Sequence, residues 1–170
     1  NNSILENSFF VIVLHYNLWM QDREKFTQKA ILVQIELFSL KTKNSSTNSV
    51  HEFRELALSS GATIYGEVIG KQDRPNAKLY LKKGKAEEIK QELINTCAEL
   101  VIFNHDLSPS QERNLEKFLG VRVLDRTGLI LDIFASRASS HIGKLQVELA
   151  QLQHLSTRLV RGWSHLERQK

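Results

Sequence analysis

LVIFNHDLSPSQERNLEKFLGVRVL, residues 100–124, carries the rhythm that decides the fold. Leu100 to Phe103 is a short apolar run of the length of a buried strand. Ser108-Pro109, with Gln111 and Glu112 just downstream, reads as a helix N-cap with proline at the first helical position. That helix stops at Gly120, and Val121 to Leu124 returns as a strand. Strand, helix, strand at this spacing is a crossover unit, the connection that parallel strands need.

Upstream the same alternation continues. Residues 30–40, AILVQIELFSL, are β-rich and apolar, and a polar Ser/Thr/Asn stretch at 41–49 follows as a loop. Phe53, Leu56 and Ala57 fall at helical spacing before Gly61, and residues 62–69 alternate like a second strand. Residues 72–77, with Pro75, read as a turn, 78–81 as a short strand, and 86–96 as a helix facing inward through Ile89, Leu93 and Ile94. The expected fold is therefore α/β, a small, partly parallel sheet flanked by helices.

After Asp125 the pattern becomes helical. Leu129, Ile130, Ile133 and Phe134 mark one amphipathic helix. Ile142, Leu145, Leu149, Leu152 and Leu159 then form a heptad-like stripe, the signature of a coiled-coil-like hairpin. The preceding helix is too short to cover that stripe, so a partner is expected beyond Lys170 or on another chain, with self-association through Leu145, Leu149, Leu152 and Leu159 as one form of it. The expected division is an α/β subdomain at 20–125 and an incomplete helical arm at 126–170. Residues 1–19 precede the only methionine, Met20, and read as an upstream or appended extension. Their apolar stretch 9–20 is too short to span a bilayer.

Charge is unevenly placed. The chain carries a net +4, and all of it lies in residues 137–170, where Arg137, Lys144, Arg158, Arg161, Arg168 and Lys170 face only Glu148 and Glu167. A second local excess sets Lys71, Arg74, Lys78, Lys82, Lys83 and Lys85 against Asp73. Such clusters either attract phosphate backbones or form solvated faces. In the first of them, Arg158, Arg161, Trp163, His165, Arg168 and Lys170 interleave cations with rings, a pattern suited to pairing phosphates and stacking a base. The same residues also suit a helix C-terminus, where cations oppose the dipole.

Lys82, Lys83, Gly84 and Lys85 precede a helix and form the candidate phosphate- or nucleotide-binding turn. His105 and Asp106 follow a strand end, where open α/β sheets place ligands or simply turn the chain. Asp125 suits a helix cap, and Arg126 a local ion pair. Nothing matches GxxxxGK[ST], so P-loop nucleotide hydrolysis and catalytic residues are not expected here. Cys97 is alone and the six histidines are scattered, which speaks against disulfides and metal sites and for a reducing, cytoplasmic setting.

The strings GKAEEI (84–89), LVIFNHDLSPSQERNLE (100–116), VLDRTGLILDIFASRA (123–138), GKLQVELAQLQHL (143–155) and RLVRGWSHLERQK (158–170) closely resemble the N-terminal region of HflX-type GTPases. The resemblance covers about half the chain, in order and without interruption. It implies an α/β subdomain and a helical hairpin placed before a GTPase domain that binds GTP and magnesium outside these residues. It further implies binding to the large ribosomal subunit and its RNA near the peptidyl transferase centre, and splitting of ribosomes after stress. The family's N-terminal region is also linked to ATP, which makes an ATP-binding α/β domain the alternative. Its usual Gly-x-Gly-Lys turn reads Lys82-Lys83-Gly84-Lys85 here, with lysine in place of the first glycine.

Overall fold

Ala30 to Ile35 are buried without interruption, which is the environment of a central strand covered on both faces. This strand, β1 (Lys29–Leu37), organises the rest. The computed structural model describes residues 28–37 and 46–163, and the side chains of 28–37 and 49–158. The extension expected at residues 1–19 lies outside them.

The chain continues through α1 (Ser46–Ser59), β2 (Thr63–Gln72), α2 (Lys83–Thr96), β3 (Leu100–Phe103), α3 (Pro109–Leu119), β4 (Arg122–Leu124), α4 (Arg126–Arg137) and α5 (His141–Trp163). The four strands lie in the order β2-β1-β3-β4, and every neighbouring pair is parallel. The α/β expectation holds, with a sheet parallel throughout.

Side chains alternate across the sheet, so each face has its own core. Ile31, Val33, Ile35, Val101 and Phe103 point to the face covered by α2 and α3, where Ile89, Leu93, Leu115 and Leu119 close over them. Ala30, Leu32, Leu100 and Ile102 point the other way, onto Phe53 and Ala57 of α1 and Leu129 and Ile133 of α4. Thus α4 is a layer of this fold. A short turn then leads into α5, which runs back along α4: Gln151 meets Asp132, and Arg158 meets Asp125, the register of an antiparallel pair.

Local signals explain several boundaries. Ser108 Oγ accepts from Gln111 N while the Gln111 side chain accepts from Ser108 N, a complete capping box on α3. Gly120, at φ 76°, ends the same helix by donating to Glu116 O. Ser108→Ala should cost about 1 kcal/mol in chemical denaturation; a variant as stable as the parent would show that the cap contributes nothing.

Three expectations need correction. Ile94 does not face inward with Ile89 and Leu93, since it is 64% exposed on α2. Residues 78–81 are not a strand. Asn76 Oδ1 accepts from the N–H groups of Lys78 and Leu79, and Tyr80 takes a left-handed φ of 66°, so the segment folds as a turn with one isolated bridge to Asn76. The polar stretch at 41–49 is not loop to its end, because α1 already begins at Ser46.

The leucine stripe on α5 stays open among the described residues: Ile142, Leu145 and Leu149 are each more than half exposed, at 69%, 52% and 57%. No helix among the described residues is long and apolar enough to cross a membrane.

Candidate functional site

The chain leaves β1 for β2 on one side and returns to β3 on the other. The strand order therefore reverses between β1 and β3, and the C-terminal ends of these two strands are where open α/β sheets place ligands. Asn104 and His105 extend β3 by one residue on each face. Asn104 faces α1 and α4: its Nδ2 donates to Gln34 Oε1 at 2.9 Å, and its Oδ1 accepts from Arg126, which also pairs with Glu52 at 2.8 Å. Thr127 closes this side by donating to Asp106 at 2.7 Å. Gln34 and Asn104 are both buried, so each needs these partners.

His105 faces the opposite side. Its Nε2 accepts from Ile35 N at 3.0 Å, which places the ring proton on Nδ1, and its ring stacks on Tyr80 at 5.1 Å. Burial pushes its pKa down from 6.5 to about 4; Asp106 opposes this and Arg126 adds to it. The imidazole is therefore neutral near pH 7. The polar groups at these strand ends largely satisfy one another, which suits them to holding two strand ends and two helices in register. The depression between β1, β2 and α1, lined by Leu32, Gln34, Val50, Phe53, Glu67 and Ile69, holds about 10 Å³, room for a single water. Among the described residues no cluster of His, Cys, Asp or Glu is placed to hold a metal ion.

A second cluster joins the arm to the layer. Arg158, near the end of α5, is only 12% exposed in its side chain. Its guanidinium pairs with Glu112 on the first turn of α3 and reaches Asp125 Oδ2 at 2.7 Å. Asp125 is 2% exposed, and its other oxygen caps α4 through Gly128 N at 2.8 Å. Arg158 Nε also donates to His154 Nε2 at 3.0 Å. That nitrogen is then an acceptor, so the 3.5 Å approach of His154 to Asp125 is not a charged pair in this arrangement.

The candidate residues are thus spread over two places. Arg158 turns inward to Asp125 and Glu112. Arg161 and Trp163 lie on α5 one turn further on, and His165, Arg168 and Lys170 fall outside the described residues. Lys82, Lys83 and Gly84 are exposed at the start of α2. Lys85 bends back instead, onto Ile69 O at 3.2 Å and Glu88 at 2.7 Å. Glu112, His154 and the second role of Asp125 were not readable in advance. Only the i,i+4 spacing of His154 and Arg158 hinted at a pair, and Glu112 reaches Arg158 through tertiary packing alone.

Comparison with known proteins agrees with this architecture. Residues 47–135 match the family described as GTP-binding GTPase N-terminal, and residues 137–170 match the GTP-binding GTPase Middle Region. The chain is 50% identical over 151 residues to the GTPase HflX of Escherichia coli (strain K12), covering 89% of this chain and 34% of that protein. It is 43% identical over 141 residues to the GTPase HflX of Caldanaerobacter subterraneus subsp. tengcongensis, covering 83% and 32%. It spans about a third of the length of these relatives. Among solved structures, a GTP-binding protein from the hyperthermophilic archaeon Sulfolobus solfataricus in complex with GDP superposes with a TM-score of 0.58 at 26% identity, covering 81% of this chain and 40% of that one. The SsGBP and GDP complex gives 0.61 at 27% identity, covering 79% and 37%.

Proposed function

This chain belongs to the HflX family of GTPases, and on that premise we propose that it forms the RNA-facing front of a ribosome-associated GTPase. Its partner is the large ribosomal subunit, contacted through ribosomal RNA, and the setting is the cytoplasm under stress. GTP and magnesium belong to the remaining part of such a protein, whose nucleotide state would set when the front end engages and splits the ribosome. The exposed stripe of Ile142, Leu145 and Leu149 would receive a second helix of the same parent, completing a hairpin.

The observation that carries this reading is the Arg158 cluster. A basic arm hung on a flexible joint would lose much of its binding energy to ordering. Here a buried arginine ties α5 to two elements of the α/β layer, so the basic segment that begins at Arg158 is rooted in a fixed support. The proposed role is steric: a rigid projection that occupies or distorts an RNA-lined space.

The test is a salt titration of binding to purified large subunits. Arg161→Ala, Arg168→Ala and Lys170→Ala together should weaken binding and flatten its salt dependence by roughly 0.9 log units for each phosphate no longer neutralised. Arg158 is left out because removing it would disturb the fold. An unchanged slope would refute the arm as an RNA contact.

A further inference from the structure

The second basic segment, residues 71–85, is built more firmly than a solvated loop requires. Between β2 and α2 it is held from several sides. Asn76 and Tyr80 exchange backbone hydrogen bonds of 2.7 and 2.9 Å. Gln72 Nε2 donates to Tyr80 O at 2.7 Å from below. From α3, Gln111 Nε2 donates to Asn76 O at 2.8 Å and Asn114 Nδ2 to Lys78 O at 2.9 Å. Leu79, Tyr80 and Leu81 are buried beneath, with Tyr80 held at a positive φ that L residues rarely adopt.

What this scaffold displays is charge. Lys71 and Lys85, at the two ends, are paired with Glu36 and Glu88. Arg74, Lys78, Lys82 and Lys83 are exposed and carry no ion pair among the described residues. Four unpaired cations on a pre-ordered loop meet a polyanion with little ordering cost.

The position adds a second argument. Gln111, which holds the loop, and Glu112, which holds Arg158, are adjacent residues on the first turn of α3. Two basic segments far apart in sequence are therefore anchored to one turn of one helix. Both supports lie where α3 begins, beyond the C-terminal end of β3.

We propose that the loop carrying Arg74, Lys78, Lys82 and Lys83 is a second contact for the phosphate backbone of structured RNA, working together with the arm. This rests on the reading of the arm as an RNA contact. The loop buries its large apolar residues, Leu79, Tyr80 and Leu81, and exposes no aromatic ring to stack on a base or enter a membrane. It holds RNA without reading sequence, since phosphate contacts position a complex and base contacts specify it.

The experiment measures the anisotropy of a fluorescein-labelled RNA duplex against the full chain across a KCl series. One variant carries Arg74→Ala, Lys78→Ala, Lys82→Ala and Lys83→Ala. A control removes the same formal charge outside both basic segments, through Lys29→Ala, Arg54→Ala, Lys90→Ala and Lys117→Ala. The loop variant should bind roughly tenfold or more weakly at moderate salt, with a slope shallower by about 0.9 for each phosphate it ceases to neutralise, while the control keeps most of its affinity. Charge-preserving Lys78→Arg, Lys82→Arg and Lys83→Arg should bind like the parent. Equal losses in loop and control variants would reduce the effect to net charge and overturn the proposal, as would an unaffected loop variant. A loop effect seen only with phosphatidylserine vesicles would overturn it too. A parent chain that fails to bind RNA at all would instead sink the reading of the arm.

Discussion

Arg158→Ala is expected to lower the thermal midpoint of the chain by roughly 10 °C, the equivalent of about 3 kcal/mol or more. The substitution removes the cation that faces two carboxylates in the Arg158 cluster, one of them, Asp125, 2% exposed. A buried charge stripped of its partner cannot recover its hydration, and that uncompensated charge is the main source of the loss. Asp125 Oδ1 would still cap α4, but α5 would lose its hold on α3. Arg158→Lys should restore part of the stability, because an ammonium supplies charge without the planar fork that reaches both carboxylates. Thermal unfolding followed by circular dichroism checks this; a midpoint within about 2 °C of the parent would show that the cluster bears no weight.

Acid should destabilise the fold through His105. Its folded pKa is about 4, below the 6.5 of an unfolded chain. Between these values the unfolded state binds the extra proton, so the stability this group contributes is complete above pH 6.5 and is lost as pH falls toward 4. The loss amounts to roughly 3 kcal/mol over that window. Protonation would put a hydrogen on Nε2, opposite the Ile35 N–H that it now accepts from. Burial is the main obstacle, with the Arg126 charge adding to it. His105→Gln keeps an acceptor for Ile35 and removes the titration. Its unfolding free energy should therefore fall much less than the parent's between pH 7 and pH 4.5, and parallel curves for the two proteins would exclude His105 as the source.

Much of the fold was legible in the sequence because its signals are local. The strand at Leu100–Phe103 and the cap at Ser108 follow from residue order alone, and Gly120 stops α3 where a left-handed residue is needed. Residues 78–81 misled because their short apolar run served burial beneath a turn, with the Asn76 side chain supplying the hydrogen bonds. The candidate site was less legible. Charge counting found both basic segments and the resemblance gave the arm its meaning, yet neither showed that Arg158 faces inward. Its acidic partners lie on α3 and at the start of α4, and Glu52 meets Arg126 from α1, so only the assembled layers bring them together. Electrostatic pairs of this kind carry no periodicity to read.

The parallel sheet also orders events in time. Central β1 pairs with β3 only through residues such as Ala30 and Leu100, some seventy positions apart. During synthesis, β1 leaves the exit tunnel long before its neighbour exists, and its apolar edge is covered at first on the β2 side alone. Sheet closure must wait for β3, and β4 follows later still. Refolding dominated by such distant pairings belongs to the slow, millisecond-to-second class, and a nascent chain halted before β3 is the form most exposed to aggregation.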